Sequence, residues 1–200
     1  MLDSNAFLPM LYASHDGHTI KIIDRLAMQL EAMGIDTLPI DLGRQTPDPE
    51  LLKKARMVLV AAPIRFGYHL PPVEAFVRDN RSWLRGRLLT VISVNLTARK
   101  AGKNTPATNP YLRKWLWRHK LSPALAAVFG GRLDYSLCCW WEKRMIQLIM
   151  KITGGPTNLD AVVDYTDWDK VDALAFQIAG FYTRRQKMES EAPWQAANAS

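Results

Sequence analysis

Two hundred residues with 48% hydrophobic and 22% charged content are enough chain for one domain with a well-buried core. No apolar run approaches the roughly 18 residues of a membrane-crossing helix, and no secretion-signal pattern opens the chain, so the expected location is the cytoplasmic side. The formal net charge is +7, but it is not spread evenly: residues 99–151 carry eleven Lys or Arg against two acids, which implies an anionic partner on that part of the surface.

Five apolar runs read as strands: Phe7 to Ala13, Ile35 to Ile40, Met57 to Pro63, Leu88 to Val94 and Leu125 to Phe129. They are continuous rather than alternating, as parallel strands covered on both faces are. After the first run, Ser14-His15-Asp16-Gly17-His18-Thr19 forms a short loop rich in hydrogen-bonding groups. Thr19 to Met33 follows as a helix, with Ile22, Ile23, Leu26 and Leu30 on one face and Gly34 as its stop. A loop placed there can bind a phosphate, because first-turn amides and the positive helix end point at it while Ser14 and Thr19 add hydroxyls. The alternative is that Ser14 or Asp16 merely caps the helix.

The third strand delivers Pro63-Ile64-Arg65-Phe66-Gly67-Tyr68, and the fourth delivers Ser93-Val94-Asn95-Leu96-Thr97-Ala98. In an open parallel sheet the ligand crevice lies outside the strand C-termini, so these two loops and the first should meet, with Phe66 and Tyr68 able to cover a planar ring or simply to pack on a neighbouring helix. Pro71 to Arg81 and Asn109-Pro110 to Lys120 read as further helices, the latter with Asn as cap and Pro in the first turn. The stretch Tyr111 to Lys120 interleaves basic residues with Trp115 and Trp117, which leaves a nucleic-acid-binding module as an alternative, although no other part of the chain has such a motif and no nucleic acid is expected.

Residues 132–160 read as an insertion splitting the last strand, which resumes at Val162 to Tyr165. Within it, Trp141 to Ile152 projects as a helix with Trp141, Met145, Leu148, Ile149 and Ile152 on one face and Lys143, Arg144, Gln147 and Lys151 on the other. Such a helix suits an anionic membrane interface; the alternative is an ordinary surface helix packed on the sheet. A last helix spans about Asp169 to Arg184, and the chain from Gln186 is expected to be a disordered tail. One doubly wound α/β domain over residues 1–185 results, with right-handed crossovers. Cys138 and Cys139 are adjacent, which disfavours a disulfide between them, and His15, His18, His69 and His119 lack metal-ligand spacing, so no metal is expected.

The chain resembles the flavodoxins, whose five strands run in the order 2-1-3-4-5. More closely it resembles the menaquinone-dependent protoporphyrinogen IX oxidases, flavodoxin-like enzymes of haem biosynthesis. The resembling stretches are Ser14 to Thr19, Ile64 to Tyr68, Ser93 to Lys100, Lys143 to Lys151 with Gly154-Gly155, and Val163 to Trp168. The resemblance implies FMN, with its phosphate in the first loop and its ring between the loops after the third and fourth strands. It further implies oxidation of protoporphyrinogen IX, six electrons in two-electron steps, with flavin N5 as hydride acceptor and a membrane quinone receiving the electrons. Asp16 departs from the threonine common in flavodoxins and should point away from a phosphate to cap the helix. Arg65, Arg99 and Arg132 are candidates for propionate contacts or for stabilising reduced anionic flavin, and Trp141, Arg144 and Lys151 for substrate or peripheral membrane contact. No general base is assigned, a flavodoxin-type electron carrier or a quinone reductase remains the alternative, and a homo-oligomer stays open.

Overall fold

The computed structural model describes residues 7–55, 57–137, 140–154 and 157–197; the cysteine pair and Gly155 lie outside the described residues. Strand β1 (Leu8–Tyr12) is buried throughout, as are six of the nine residues of β3 (Met57–Arg65), which is why both read as unbroken apolar runs. With β2 (Thr37–Asp41), β5 (Leu88–Val94) and β6 (Leu125–Phe129) they form a parallel sheet in the order β2-β1-β3-β5-β6. The expected order 2-1-3-4-5 is this one, renumbered because a two-residue strand β4 (Tyr68–His69) folds back antiparallel on β3.

Helices cover both faces and divide the core in two. On one face, α1 (His18–Ala32) turns Ile22, Ile23, Leu26 and Leu30 onto Leu8, Met10 and Leu59. Helix α7 (Trp168–Ala197) packs beside it through Val171, Leu174 and Ile178. A two-pronged contact from Arg25 to Asp172, both distances 2.7 Å, ties the helices at their rim. The other face takes α2 (Pro49–Lys54), α3 (Pro71–Asp79), α4 (Arg81–Arg85) and α5 (Pro110–His119). There Val73, Val77, Leu84, Leu112 and Trp115 close over Val58, Val60 and Val91. Full burial of one such aliphatic side chain is worth about 1.5–3 kcal/mol.

Three readings of the sequence change. The chain after β6 does leave the sheet as an insertion, but the strand that ends it, β8 (Val162–Asp164), pairs antiparallel with β7 (Arg132–Asp134) in a ribbon of its own. The change of direction sits at Gly130, where a Cβ would lie 2.1 Å from the Tyr165 carbonyl oxygen. The last helix also runs on to Ala197 where a disordered tail from Gln186 was expected; Gln186 to Glu191 is made largely of good helix formers.

The insertion helix α6 (Trp140–Thr153) forms where expected but turns a different face inward. Glu142 and Met150 are buried, and Ile146 joins Met150 against Leu133 and Tyr135, a stripe at i, i+4, i+8. The expected apolar face looks outward: Trp141 is 47%, Leu148 59% and Ile152 76% exposed. The inward stripe was hidden because its first residue is a carboxylate, neutralised by Arg65 of β3. The Ile149 side chain lies outside the described residues.

Candidate functional site

Because β1, β3 and β5 are adjacent and parallel, the loops that leave their C-terminal ends share one edge of the sheet. The first, Ser14 to Gly17, enters α1 through Gly17 at φ +77°, a left-handed conformation that side-chain-bearing residues rarely adopt. Asp16 Oδ1 accepts from the His18 amide at 3.1 Å, the capping role expected of it, so this one amide is taken. The next first-turn amides, of Thr19 and Ile20, have no intrahelical acceptor by helix geometry.

The hydroxyls at this loop are the telling groups. Ser14 Oγ and Thr19 Oγ1 are both buried without a hydrogen-bond partner, and a native fold seldom leaves such groups orphaned, at about 1–3 kcal/mol each. His15 and Asp16 are exposed. His18 is buried, and its Nε2 lies 2.7 Å from Thr166 Oγ1, whose own proton goes to the Gly130 carbonyl at 2.8 Å. That hydroxyl must therefore accept from Nε2–H, leaving Nδ1, which is buried and unpartnered, as the lone-pair nitrogen. Burial lowers the pKa of His18, with Asp164 working in the opposite direction. Two orphan hydroxyls beside free amides fit an anionic ligand such as a phosphate.

The second loop is a tight hairpin. Ile64 pairs with His69 and Arg65 with Tyr68, leaving Phe66 and Gly67 as a two-residue turn with φ of +50° and +83°. Such a turn matches strand twist but suits Asn-Gly better than Phe-Gly, so an aromatic ring is held at this tip against local preference. Phe66 and Tyr68 are both exposed, yet each is braced. The Phe66 ring stacks on Trp141 at 5.4 Å between centroids, 20° from parallel, while Tyr68 has Lys114 Nζ at 5.8 Å and Arg118 Cζ at 5.9 Å from its ring centre.

The third loop, Asn95 to Ala98, is fixed from below. Asn95 Oδ1 accepts from the Ala98 amide at 3.1 Å and from Asn109 Nδ2 at 3.1 Å. Its own Nδ2 donates to Ser93 Oγ at 3.2 Å. Ser93 Oγ also meets His69 Nε2 at 3.0 Å, so a buried polar chain joins the hairpin to the third loop and to the cap of α5. Burial drives the His69 pKa from 6.5 to about 3; the imidazole is neutral and stacks on Trp115 at 4.0 Å. Leu96 and Thr97 remain half-buried at the edge, with Val94 and Ala98 buried beneath.

The arginines chosen from sequence are already engaged. Arg65 pairs with Glu142, Arg132 with Asp134 at 2.7 Å, and Arg99 donates to the Leu96 carbonyl at 2.9 Å and lies 5.9 Å from the Tyr165 ring centre. Trp141, Arg144 and Lys151 are exposed, Trp141 against the hairpin tip. Lys114 and Arg118 stand in the basic stretch of residues 99–151 and in the Tyr111 to Lys120 alternation, but the sequence did not single them out as site residues, because their link to Tyr68 spans more than forty residues. The aromatic and basic alternation of Tyr111 to Lys120 resolves into an ordinary amphipathic helix, with Trp115 buried and Trp117 bare. Among the described residues no three His, Cys, Asp or Glu side chains come together as a metal site.

A parallel sheet in this order with an anion cradle ahead of α1 and two further loops at the same edge defines a flavodoxin-like protein. The flavodoxin-domain family model matches residues 9–160, and the chain belongs to that family. Within it, the chain belongs with the proteins named protoporphyrinogen IX dehydrogenase [quinone]: it is 36% identical over 170 residues to that of Escherichia coli K12, covering 85% of this chain and 93% of the relative. It is 38% identical over 173 residues to that of Leishmania major, covering 85% and 73%. Among solved structures, rubredoxin oxygen:oxidoreductase from Desulfovibrio gigas superposes on 92% of this chain with a TM-score of 0.53 at 16% identity, which supports the fold alone; this chain spans 37% of that protein.

Proposed function

We propose that this protein is an FMN enzyme that oxidises protoporphyrinogen IX to protoporphyrin IX, removing six electrons in two-electron steps, with a membrane quinone, menaquinone foremost, as acceptor in haem biosynthesis. The observation that carries the reading is the identity with the named dehydrogenases across nearly the whole length of the bacterial relative. The orphaned hydroxyls of Ser14 and Thr19 support a phosphate-bearing cofactor beside loops able to bracket a ring.

Bound at this edge, FMN supplies a two-electron acceptor. The contribution of the chain is placement. Ser14, Thr19 and the first-turn amides would hold the phosphate, the turn at Phe66 and Gly67 and the backbone of Asn95 to Ala98 would border the ring, and the His69–Ser93–Asn95–Asn109 chain keeps these two loops in register. No side chain in these loops is assigned as a general acid or base; orientation of the reacting atoms is the main source of rate.

The acceptor resides in lipid, and among the described residues no helix is long and apolar enough to cross a membrane. The outward face of α6 supports peripheral contact instead: Trp140, Trp141, Leu148 and Ile152 are bare, with Lys143, Arg144 and Lys151 on the same helix. Apolar and aromatic residues beside cations are the composition that an anionic membrane surface attracts.

Anaerobic addition of protoporphyrinogen IX to the FMN-loaded protein should bleach the visible flavin bands, and a menaquinone analogue added afterwards should restore them. Bands that persist after the first addition overturn the substrate. Bleaching without recovery overturns the acceptor.

A further inference from the structure

The strongest unassigned feature lies beside the ring hairpin. A small cavity of about 10 Å³ opens between the hairpin and α5, lined by Gly67, Tyr68, Tyr111, Lys114, Trp115 and Arg118 among others. That volume admits about one water-sized group, an oxygen atom rather than a ring. Trp115, 2% exposed, lines it, and its Nε1 is buried with no hydrogen-bond partner. Indole nitrogen is a donor only, so whatever completes it must be an acceptor.

The charge around the cavity points the same way. Lys114 has no carboxylate within ion-pair distance among the described residues and lies instead over the Tyr68 ring, its Nζ 5.8 Å from the ring centre. Arg118 donates to Glu74 Oε1 at 2.7 Å, an oxygen that His119 Nε2 also meets at 2.9 Å. Glu74 is therefore the acid that faces this group, and its carboxyl is held below the usual range because the bonds from His119 and Arg118 outweigh burial; with Lys114 beside Arg118, the lysine charge has no acid of its own. The crevice is left with a surplus positive charge and room for one oxygen, and one of its walls is a tryptophan whose N–H is buried without a partner.

We propose that this crevice is a carboxylate-binding subsite, with Lys114 as its principal cation, Arg118 beside it and Trp115 Nε1 as its buried donor, and that it anchors one acidic side arm of the substrate next to the ring loop. The inference rests on the reading of the substrate as protoporphyrinogen IX, a macrocycle with two propionates. One propionate oxygen seats in the crevice and the macrocycle extends past Tyr68 across the tip at Phe66. Charge-assisted bonds of this kind are stronger and more directional than neutral ones. The site differs from Arg65 and Arg132, each matched by a carboxylate of the chain, in that Lys114 has none.

The test compares protoporphyrin IX with its dimethyl ester, followed by the Soret shift and by tryptophan quenching on the FMN-loaded protein. Wild type should bind the diacid about tenfold more tightly than the ester, and Lys114→Gln should remove most of that preference with FMN content unchanged. Arg113→Gln, which deletes the same charge one residue away and outside the crevice, should keep the preference. A wild type that does not distinguish acid from ester, a Lys114→Gln variant that keeps the preference, or an equal loss in Arg113→Gln each overturns the subsite. Turnover of protoporphyrinogen by wild type is read separately, and its absence overturns the proposed function, whatever the binding preference.

Discussion

The parallel-sheet core and the insertion that follows β6 use apolar residues in opposite ways. In the core, two clusters of fully enclosed side chains grip the sheet from both faces, and the loops at its edge inherit that rigidity. In the insertion, Leu133, Tyr135 and Met150 are the enclosed residues, whereas Trp140, Leu148 and Ile152 stand in solvent and Trp141 is half covered by Phe66. Rigid packing suits a cradle whose donors must stay within tenths of an ångström of one place. An apolar face left bare has work to do only against something outside the chain. The two regions meet at the β3–β4 hairpin, where Arg65 and Phe66 of the core engage Glu142 and Trp141 of the insertion.

The sharpest way to break this contrast is at the joint itself. Gly130→Ala places a methyl 2.1 Å from a backbone carbonyl and should cost about 3 kcal/mol in denaturant unfolding, at the upper end of overpacking penalties. It should also disturb the His18–Thr166–Gly130 bonds and so weaken FMN binding. A variant of wild-type stability would mean that core and insertion are not locked at this point.

The next effect lies wholly within the core. The pKa of His69 is about 3 in the folded state, below its ordinary value, so the unfolded chain takes up the proton first and stability declines as pH falls from about 6.5 toward 3. Between pH 7 and pH 5 this one group should remove about 2 kcal/mol, at about 1.36 kcal/mol per pKa unit. His69→Gln keeps a polar group for Ser93 and cannot titrate. Unfolding curves at the two pH values should show a correspondingly smaller difference, and an unchanged difference would place the pH sensitivity elsewhere.

At the cradle, affinity and stability should part company. Thr19→Val removes a buried hydroxyl that has no partner in the ligand-free chain, so the apoprotein should be as stable as wild type or slightly more so. FMN affinity, followed by fluorescence titration, should fall about tenfold, the worth of about one bond to a charged group. Ser14→Ala should behave alike. Reduced stability with unaltered affinity would make these hydroxyls structural.

The smallest effect on folding should come from the insertion. Leu148→Ser combined with Ile152→Ser changes two exposed positions, and each should move stability by less than about 0.5 kcal/mol. Sedimentation with anionic vesicles should nevertheless fall clearly below wild type. Equal sedimentation would leave the bare face without its proposed use.

Much of this was legible in the chain. β1, β3 and β5 announced themselves because strands buried on both faces cannot afford polar alternation, and Asn109-Pro110 marked the start of α5 because cap and first-turn chemistry is local. What escaped notice depends on contacts between distant residues. β4 and β7 are two and three residues long, too short for any period. The inward face of α6 was masked by Glu142, whose burial makes sense only once Arg65 is opposite it. Ser14 and Thr19 could be picked from their loop, but that their hydroxyls are left without partners is a fact of packing. Lys114 joins Tyr68 only after the hairpin and α5 have been brought together.

The turn at Phe66 carries a consequence for anyone who would make this protein hardier. Asparagine there would relax the left-handed backbone, and a stability screen would welcome it. The same exchange would withdraw the ring that reaches from the hairpin to Trp141, so selection for endurance and selection for turnover should pull residue 66 in opposite directions.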